Sequence, residues 1–204
     1  MKKIMFNDKY GLTQAVLDGR KTMTRRIFYI PDKLVPYLDI YDIFDIVDDC
    51  IIWKDKSDNI RMTFEPKYKV GEVVAIAQSY KAIGYNGEYS WVQDGIHYHR
   101  DRAAGWANKM FVKVNLMPHH IEITDIKVER LQDISDEDCL KEGIVKGKCG
   151  SESTHFMDAY YVPKEKQPYC TPRDAFEVLI DKVSGKGGFK SNPYVFVYEF
   201  KLLD

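Results

Sequence analysis

The segment HIEITDIKVERL, residues 120–131, is the stretch that decides the fold of this chain. Its apolar residues alternate with polar ones and are Ile121, Ile123, Ile126 and Val128. This alternation predicts a long β-strand with one buried face, because successive side chains of a strand point to opposite sides of the sheet. The alternation slips by one residue near Asp125, where we expect a β-bulge.

Further strands are predicted on both sides of this one. Residues 70–77, VGEVVAIA, form a buried strand that begins at a glycine turn, and residues 194–200, YVFVYEF, form a closing strand. Two hairpins are predicted, at residues 50–64 and at residues 89–99, the second around the turn Asp94-Gly95. These segments supply most of a sheet.

Three helices are predicted between the strands. Apolar residues recur at helical spacing over residues 12–17, and Gly19 stands where a left-handed helix end is expected. Ser135 caps a short helix that Gly143 ends, and Thr171 caps a third.

Strands and helices do not alternate strictly, which predicts a mixed α+β domain built on a small barrel or curled sheet. Residues 145–170, rich in Gly, Ser, Lys and Pro, are expected to form a loop. The 204 residues fit one domain.

Composition and charge exclude several classes of protein. The formal charge is -1, so no global positive field draws the chain to nucleic acid, and any such binding must come from a local patch. The four cysteines lack the spacing of a zinc or redox motif, and we expect free thiols in a reducing compartment. Without a signal region or a run of about 18 apolar residues, we expect a soluble cytoplasmic protein with no membrane partner.

The segment RKTMTRR, residues 20–26, is the local patch of interest because it interleaves cations with two hydroxyls, a set suited to phosphate or carbonyl contacts. The alternative is a solvated, charged turn. Its candidate RNA-binding or nucleobase-binding residues are Arg20, Thr22, Arg25 and Arg26. We add Lys190, in a glycine-rich basic loop that could present N–H groups to a phosphate, and Tyr80, the aromatic residue expected nearest the cleft.

Several motifs stand in a fixed order along the chain. They are LDGRKTMTRR at residues 17–26, YKVGE at 68–72, ERLQDI at 129–134 within residues 121–144, KGG at 186–188 and NPYVFVYEF at 192–200. Taken together, they resemble the ASCH-domain family, which is common in bacteria and their phages. The resemblance covers both ends and much of the middle of a single domain of residues 1–204. Residues 36–66, 81–105 and 145–170 lie outside it, and we expect them to be insertions.

The resemblance implies an α+β fold with a PUA-like small β-barrel, peripheral helices and inserted hairpins. It also implies a cleft lined by the GRKT segment and a role in binding RNA or a nucleobase. The chain departs from the commoner phage pattern at Gln78-Ser79-Tyr80 and at His119-His120. These departures bear on the identity of the ligand more than on the fold.

A branch of small bacterial members hydrolyses the amide of N4-acetylcytidine with a Lys, a Thr and a Glu. The resemblance places these roles at Lys21, Thr24 and Glu142. A threonine hydroxyl needs a base, and a lysine serves as one only if its pKa falls toward neutrality. The chain must also turn between Lys21 and Thr24, because residues three apart in a strand point to opposite faces. Thr22 is a rival nucleophile.

Three functions follow from these observations. The leading prediction is RNA or nucleobase binding, with RNA or a modified nucleoside as the partner. The second is an amidohydrolase that deacylates N4-acylcytidine-like nucleosides, and the third is a phage-derived interaction module with an inert cleft. No cofactor and no metal are expected, because the histidine pairs have no cysteine or carboxylate at ligand spacing.

Overall fold

The structure is a computed structural model that describes residues 1–27, 43–47, 50–54, 60–84, 91–93, 96–98, 104–152 and 155–203. Its strands are β1 (Lys3–Ile4), β2 (Met23–Ile27), β3 (Ile43–Val47), β4 (Cys50–Lys54), β5 (Ile60–Phe64), β6 (Val73–Ile76), β7 (Trp91–Gln93), β8 (Ile96–Tyr98), β9 (His120–Arg130), β10 (Val145–Ser151), β11 (His155–Tyr161), β12 (Pro168–Tyr169) and β13 (Tyr194–Leu202). Its helices are α1 (Leu12–Leu17), α2 (Asp136–Lys141) and α3 (Pro172–Ser184).

The main sheet has the strand order β1-β6-β9-β13-β2, so the long strand predicted from the alternating segment lies at its centre. β1 pairs with β6 in parallel, and the other neighbours are antiparallel. The register between β13 and β9 shifts at Glu199 and Phe200, which pair with Asp125 and Ile123. Thr124 is therefore the extra residue of a bulge, and the bulge predicted near Asp125 is confirmed.

The fold class is mixed α+β, as predicted. Within the described residues, the order of hydrogen-bonded strands ends at β1 on one side and at β2 on the other. A closed barrel is therefore not confirmed.

The core lies on the apolar side of β9 and β13. Ile121 and Ile123 of β9 and Val195 of β13 are fully buried, and Phe176 of α3 packs into the same cluster. Thr171 caps α3 as predicted, because its hydroxyl accepts a hydrogen bond from the N–H of Asp174 at 3.1 Å.

The helix ends explain how the chain reaches the candidate site. After α1, Gly19 has a φ of 70°, which is the left-handed conformation predicted there. The N–H groups of Arg20 and Lys21 both donate to the carbonyl of Ala15 at 2.9 Å, so the turn extends to Lys21 and the strand begins only at Met23. Lys21 and Thr24 therefore do not lie in one continuous strand, although the turn itself precedes Lys21 and the turn expected between the two residues is not assigned.

The prediction of a loop over residues 145–170 is wrong. β10, β11 and β12 form a three-stranded antiparallel sheet there. Most residues of β10 and β11 are exposed or half-buried, so the segment lacks the alternation that identifies a strand in a sequence. Backbone hydrogen bonds, which leave no trace in the residue pattern, form this sheet.

The two other unmatched segments also contain small sheets. The hairpin predicted at residues 50–64 is confirmed as β4 and β5, to which β3 adds a third strand. The second predicted hairpin is confirmed as β7 and β8, although its turn at Asp94-Gly95 lies outside the described residues. That these segments are insertions stays a prediction.

The structure also bears on the cysteines and on membrane-spanning helices. All four cysteines are free thiols, as predicted. In the part of the chain that the structure describes, no helix is both long enough and apolar enough to cross a membrane.

Because Ile123 is fully buried at the centre of the main sheet, we expect Ile123→Ala to lower the free energy of unfolding by about 2–5 kcal/mol. Val70 is 52% exposed, and Val70→Ala should change it by less than about 0.5 kcal/mol. Urea denaturation of both variants measures the difference. Equal effects of the two substitutions would contradict this placement of the core.

Candidate active site

The three residues assigned to amide hydrolysis line one cavity. Lys21, Thr24 and Glu142 surround a space of about 70 Å³, together with apolar side chains that include Phe6 and Phe176. The N–H of Thr22 donates to the carbonyl of Lys141 at 2.9 Å, and this bond joins the chain entering β2 to the end of α2. Two segments separated by more than a hundred residues thus meet at the cavity.

Lys21 and Glu142 form a buried ion pair at this cavity. Lys21 is 2% exposed and Glu142 is 5% exposed. The Lys21 Nζ lies 2.5 Å from Glu142 Oε2, 2.7 Å from the carbonyl oxygen of Met23 and 2.8 Å from the carbonyl oxygen of Glu142. An ammonium has three protons to donate, so each of them has an acceptor.

Burial lowers the pKa of Lys21, because the charged ammonium loses its hydration. The carboxylate of Glu142 acts in the opposite direction, and the positive charges of Arg26 and Arg25 add to the lowering. The amine is therefore easier to deprotonate than a lysine in water, which is what a general base requires.

Arg25 connects this pair to two further carboxylates. Its side chain is 1% exposed, and its guanidinium lies 2.6 Å from Glu129, 2.9 Å from Asp138 and 3.2 Å from Glu142. Although burial disfavours the charge, the carboxylates of Glu142 and Glu129 outweigh it and raise the pKa of Arg25. Arg25 thereby holds Glu142 in place from the side opposite Lys21, because the two cations bind different oxygens of its carboxylate.

Lys127 completes a network that sequence reasoning missed. It lies 2.9 Å from Glu129 and 3.4 Å from Asp138, and its side chain is 45% exposed. The network, which we call the buried charge network, contains three cations and three carboxylates: Lys21, Arg25, Lys127, Glu129, Asp138 and Glu142.

The strand register explains why these residues meet. Lys127 of β9 pairs with Val197 of β13, and Val197 pairs with Arg25 of β2, so the two cations lie in one cross-strand row. Glu129 is two residues along β9 and shares their face. The polar positions of β9 could be recognised in the sequence, but their register against β2 could not.

The structure distinguishes the two candidate nucleophiles. Thr24 is 5% exposed and lines the cavity, whereas Thr22 is half-buried and does not. Within the described residues the Thr24 hydroxyl has no hydrogen-bond partner, and it is not completely enclosed by protein. Its oxygen is therefore open to a ligand in the cavity.

The other residues predicted from the basic segment lie in different surroundings. Arg20 is exposed and pairs with Asp18 at 2.8 Å. Arg26 is half-buried, lines the cavity, donates to the carbonyl of Met5 at 2.6 Å and lies over the ring of Phe6. A solvated, charged turn therefore describes Arg20 and not the segment as a whole.

Two predicted binding residues do not line the cavity. Tyr80 is 7% exposed and belongs to a second apolar cluster with Val112 and Met117. Lys190 is exposed, in the loop expected to present N–H groups to a phosphate. In that loop the N–H groups of Gly187 and Phe189 donate to the carboxylate of Asp181 instead.

The two places where the chain departs from the family pattern contact each other. Nδ1 of His119 lies 2.8 Å from Oε1 of Gln78, a side chain that is 7% exposed. Among the described residues, no group of three or more His, Cys, Asp or Glu side chains is arranged to hold a metal ion.

Asp138 makes the stability of the protein depend on pH. Burial alone would raise the pKa of Asp138, but the hydrogen bond from Arg25 and the charge of Lys127 outweigh it and lower the pKa below 3.8. This stabilisation is present above pH 3.8 and is lost as the pH falls through the lower, folded-state pKa. We therefore expect Asp138→Asn to lower the free energy of unfolding at pH 7. The difference in this free energy between the variant and the wild type should be smaller near pH 2.5.

Urea denaturation between pH 7 and pH 2.5 measures this difference. Asp133→Asn, which changes an exposed carboxylate nearby, is the matched control and should show no comparable dependence. A difference between wild type and Asp138→Asn that stayed constant over the pH range would contradict the assigned ion pairs.

The chain was also compared with known proteins. No family model, curated protein or solved structure matches it. The chemistry available to the site therefore follows from its own residues and their contacts.

Proposed function

We propose that this chain is an ASCH-domain protein with a PUA-like core, and that its cavity hydrolyses the amide of an N4-acylcytidine-like nucleoside. The observation that carries the proposal is the contact of 2.5 Å between Lys21 Nζ and Glu142 Oε2 beside a cavity that Thr24 also lines. A buried amine of lowered pKa, a carboxylate that orients it and an open hydroxyl are the groups that acyl transfer by threonine requires.

In the first half of the reaction, Thr24 is the nucleophile and Lys21 is the base. The neutral amine of Lys21 takes the proton of the Thr24 hydroxyl as the oxygen attacks the acyl carbonyl carbon. The bond between that carbon and N4 breaks, and N4 leaves as the amine of cytidine after receiving a proton from the Lys21 ammonium. The acyl group remains on Thr24 as an ester.

In the second half, water replaces the amine. Lys21 takes a proton from water as the water oxygen attacks the ester, and the proton then returns to the Thr24 oxygen as the carboxylic acid leaves. One amide and one water are consumed, and one amine and one carboxylic acid are formed. Glu142 holds the Lys21 amine in position through both halves.

Burial favours a small ligand over an RNA backbone at these residues. Lys21, Thr24 and Arg25 are each 9% exposed or less, so a group that contacts them has to enter the protein. Phosphates of a long RNA would remain at the surface, where Arg20 is exposed. RNA or nucleobase binding was the leading prediction from the sequence. In the reaction proposed here, the nucleobase is bound as part of the nucleoside substrate.

Replacement of the nucleophile tests the proposal. We expect the wild type to release cytidine from N4-acetylcytidine, and Thr24→Ala to release it at least about a hundredfold more slowly, because no hydroxyl remains to accept the acyl group. Chromatography of the released cytidine measures both rates. Thr22→Ala is the matched control and should retain activity, because Thr22 does not line the cavity.

Undiminished release by folded Thr24→Ala would contradict the assignment of the nucleophile. An absence of release by the folded wild type would contradict the activity on this substrate. Circular dichroism and urea denaturation establish that each variant is folded.

The pH dependence of the rate tests the role of Lys21. Because the neutral amine is the active form, kcat/KM should rise with pH through the lowered pKa of Lys21. Arg26 contributes to that lowering, so Arg26→Gln should raise the pKa of Lys21 and move the rise to higher pH. Arg20→Gln changes an exposed cation that does not contribute, and should leave the profile in place. A rate that fell as the pH rose through this range would contradict a lysine base.

A further inference from the structure

One wall of the active-site cavity is formed by a single helix. Four apolar residues of α3 line the cavity at a spacing that places them on one face of the helix, and they are Phe176, Leu179, Ile180 and Val183. We call these four residues the α3 wall. The side chains of Phe6 and Leu12 also line the cavity, so a large part of its surface is hydrocarbon.

The rest of the cavity lining is largely polar. It includes Lys21, Thr24 and Arg26, which come from β2 and from the segment just before it. An acyl group has the same two parts, because its carbonyl is polar and its chain is apolar. In the proposed reaction the carbonyl carbon has to reach the Thr24 oxygen, so the chain is left to contact the apolar surface.

The α3 wall is buried at one end and open at the other. Phe176 and Leu179 are buried, Ile180 is half-buried, and Val183 is 44% exposed. Phe176 packs edge-to-face against the buried ring of Phe189, with 6.2 Å between the ring centroids. Because the core is close-packed behind it, the buried end of the wall has no room to move aside for a longer chain.

The volume of the cavity restricts the length of that chain. The cavity measures about 70 Å³, and a water takes up about 30 Å³ in the liquid, so the space is that of about two waters. An acetyl group is of this size, whereas a hexanoyl group or a nucleoside is much larger. The nucleoside therefore has to remain at the open end, and the acyl chain has to end against the buried residues of the wall.

We propose that the α3 wall restricts the substrate to short aliphatic acyl groups, and that Phe176 and Leu179 form the end of the acyl pocket. This inference rests on the proposed function, because it takes Thr24 as the residue that receives the acyl group. It adds the class of acyl group and the residues that select it. Each methylene that does not fit an apolar pocket lowers the specificity constant by about 10–200-fold.

Esters of p-nitrophenol test the acyl pocket without a nucleoside. Thr24 takes the acyl group and p-nitrophenolate leaves, and its absorbance measures the rate. The rate of the Thr24→Ala variant is subtracted, so that only turnover by Thr24 is counted. We expect the wild-type kcat/KM for p-nitrophenyl acetate to exceed that for p-nitrophenyl hexanoate by at least about a hundredfold.

Substitutions in α3 locate the selection. Leu179→Ala, which opens the buried end of the pocket, should reduce the preference for acetate over hexanoate by at least about tenfold. Val178→Ala is the matched control and should leave the preference unchanged, because Val178 is half-buried on the same helix and does not line the cavity. Urea denaturation establishes whether Leu179→Ala is folded. If it is not, Ile180→Ala makes the same test at a half-buried position of the wall.

The outcomes separate this inference from the proposed function. Equal turnover of acetate and hexanoate esters by Thr24, or a preference that the folded wall variant leaves unchanged, overturns the acyl pocket even if N4-acetylcytidine is hydrolysed. An absence of ester turnover by Thr24 overturns it as well. A preference for acetate that the wall variant relaxes supports the pocket even if N4-acetylcytidine is not turned over, and in that case the nucleoside substrate of the proposed function alone fails.

Discussion

The placement of Arg25 in the interior is the constraint on which the rest of this site depends. A buried guanidinium remains charged, so the protein must surround it with carboxylates or lose several kcal/mol of stability, and breaking such a pair costs about 3–5 kcal/mol. Glu129, Asp138 and Glu142 meet this requirement from β9 and from α2 and its end. Because these carboxylates are all more than a hundred residues from Arg25 in the sequence, satisfying this one cation fixes the position of α2 against the main sheet.

The chemistry proposed for the cavity follows from the same constraint. Arg25 and Lys21 bind different oxygens of Glu142, so the carboxylate is held between two cations and the Lys21 amine is held in turn. The Lys21 amine and the Thr24 hydroxyl line the same cavity without a hydrogen bond between them, so general-base catalysis requires the two groups to approach each other when the substrate binds. The apolar side chains around the cavity keep its volume small, and the ligand that the site accepts has to place only a small group there.

Much of the fold follows from local patterns, and much of the site does not. The strand at residues 120–131, its bulge, the helix caps at Ser135 and Thr171 and the turn at Gly19 were predictable because each depends on neighbouring residues. The sheet at residues 145–161 was missed, because a hairpin in which nearly all residues are exposed or half-buried carries no alternation. The resemblance selected Lys21, Thr24 and Glu142, which line one cavity. Lys127 and Glu129 were missed because the strand register that brings them to Arg25 cannot be read from one sequence, and Asp138 was missed because the packing of α2 against the sheet cannot be read from it either.

The charge balance of the buried network also restricts how this protein can evolve. Three cations face three carboxylates, and only Lys127 among the cations has substantial contact with water, so the loss of one inner member leaves an opposite charge stranded in the interior. Single substitutions at positions 25, 129, 138 and 142 should therefore be selected against, while paired changes that restore neutrality should survive. Covariation among these four positions is the trace that such selection would leave in related sequences, and it would appear whether the cavity is used for catalysis or for binding alone.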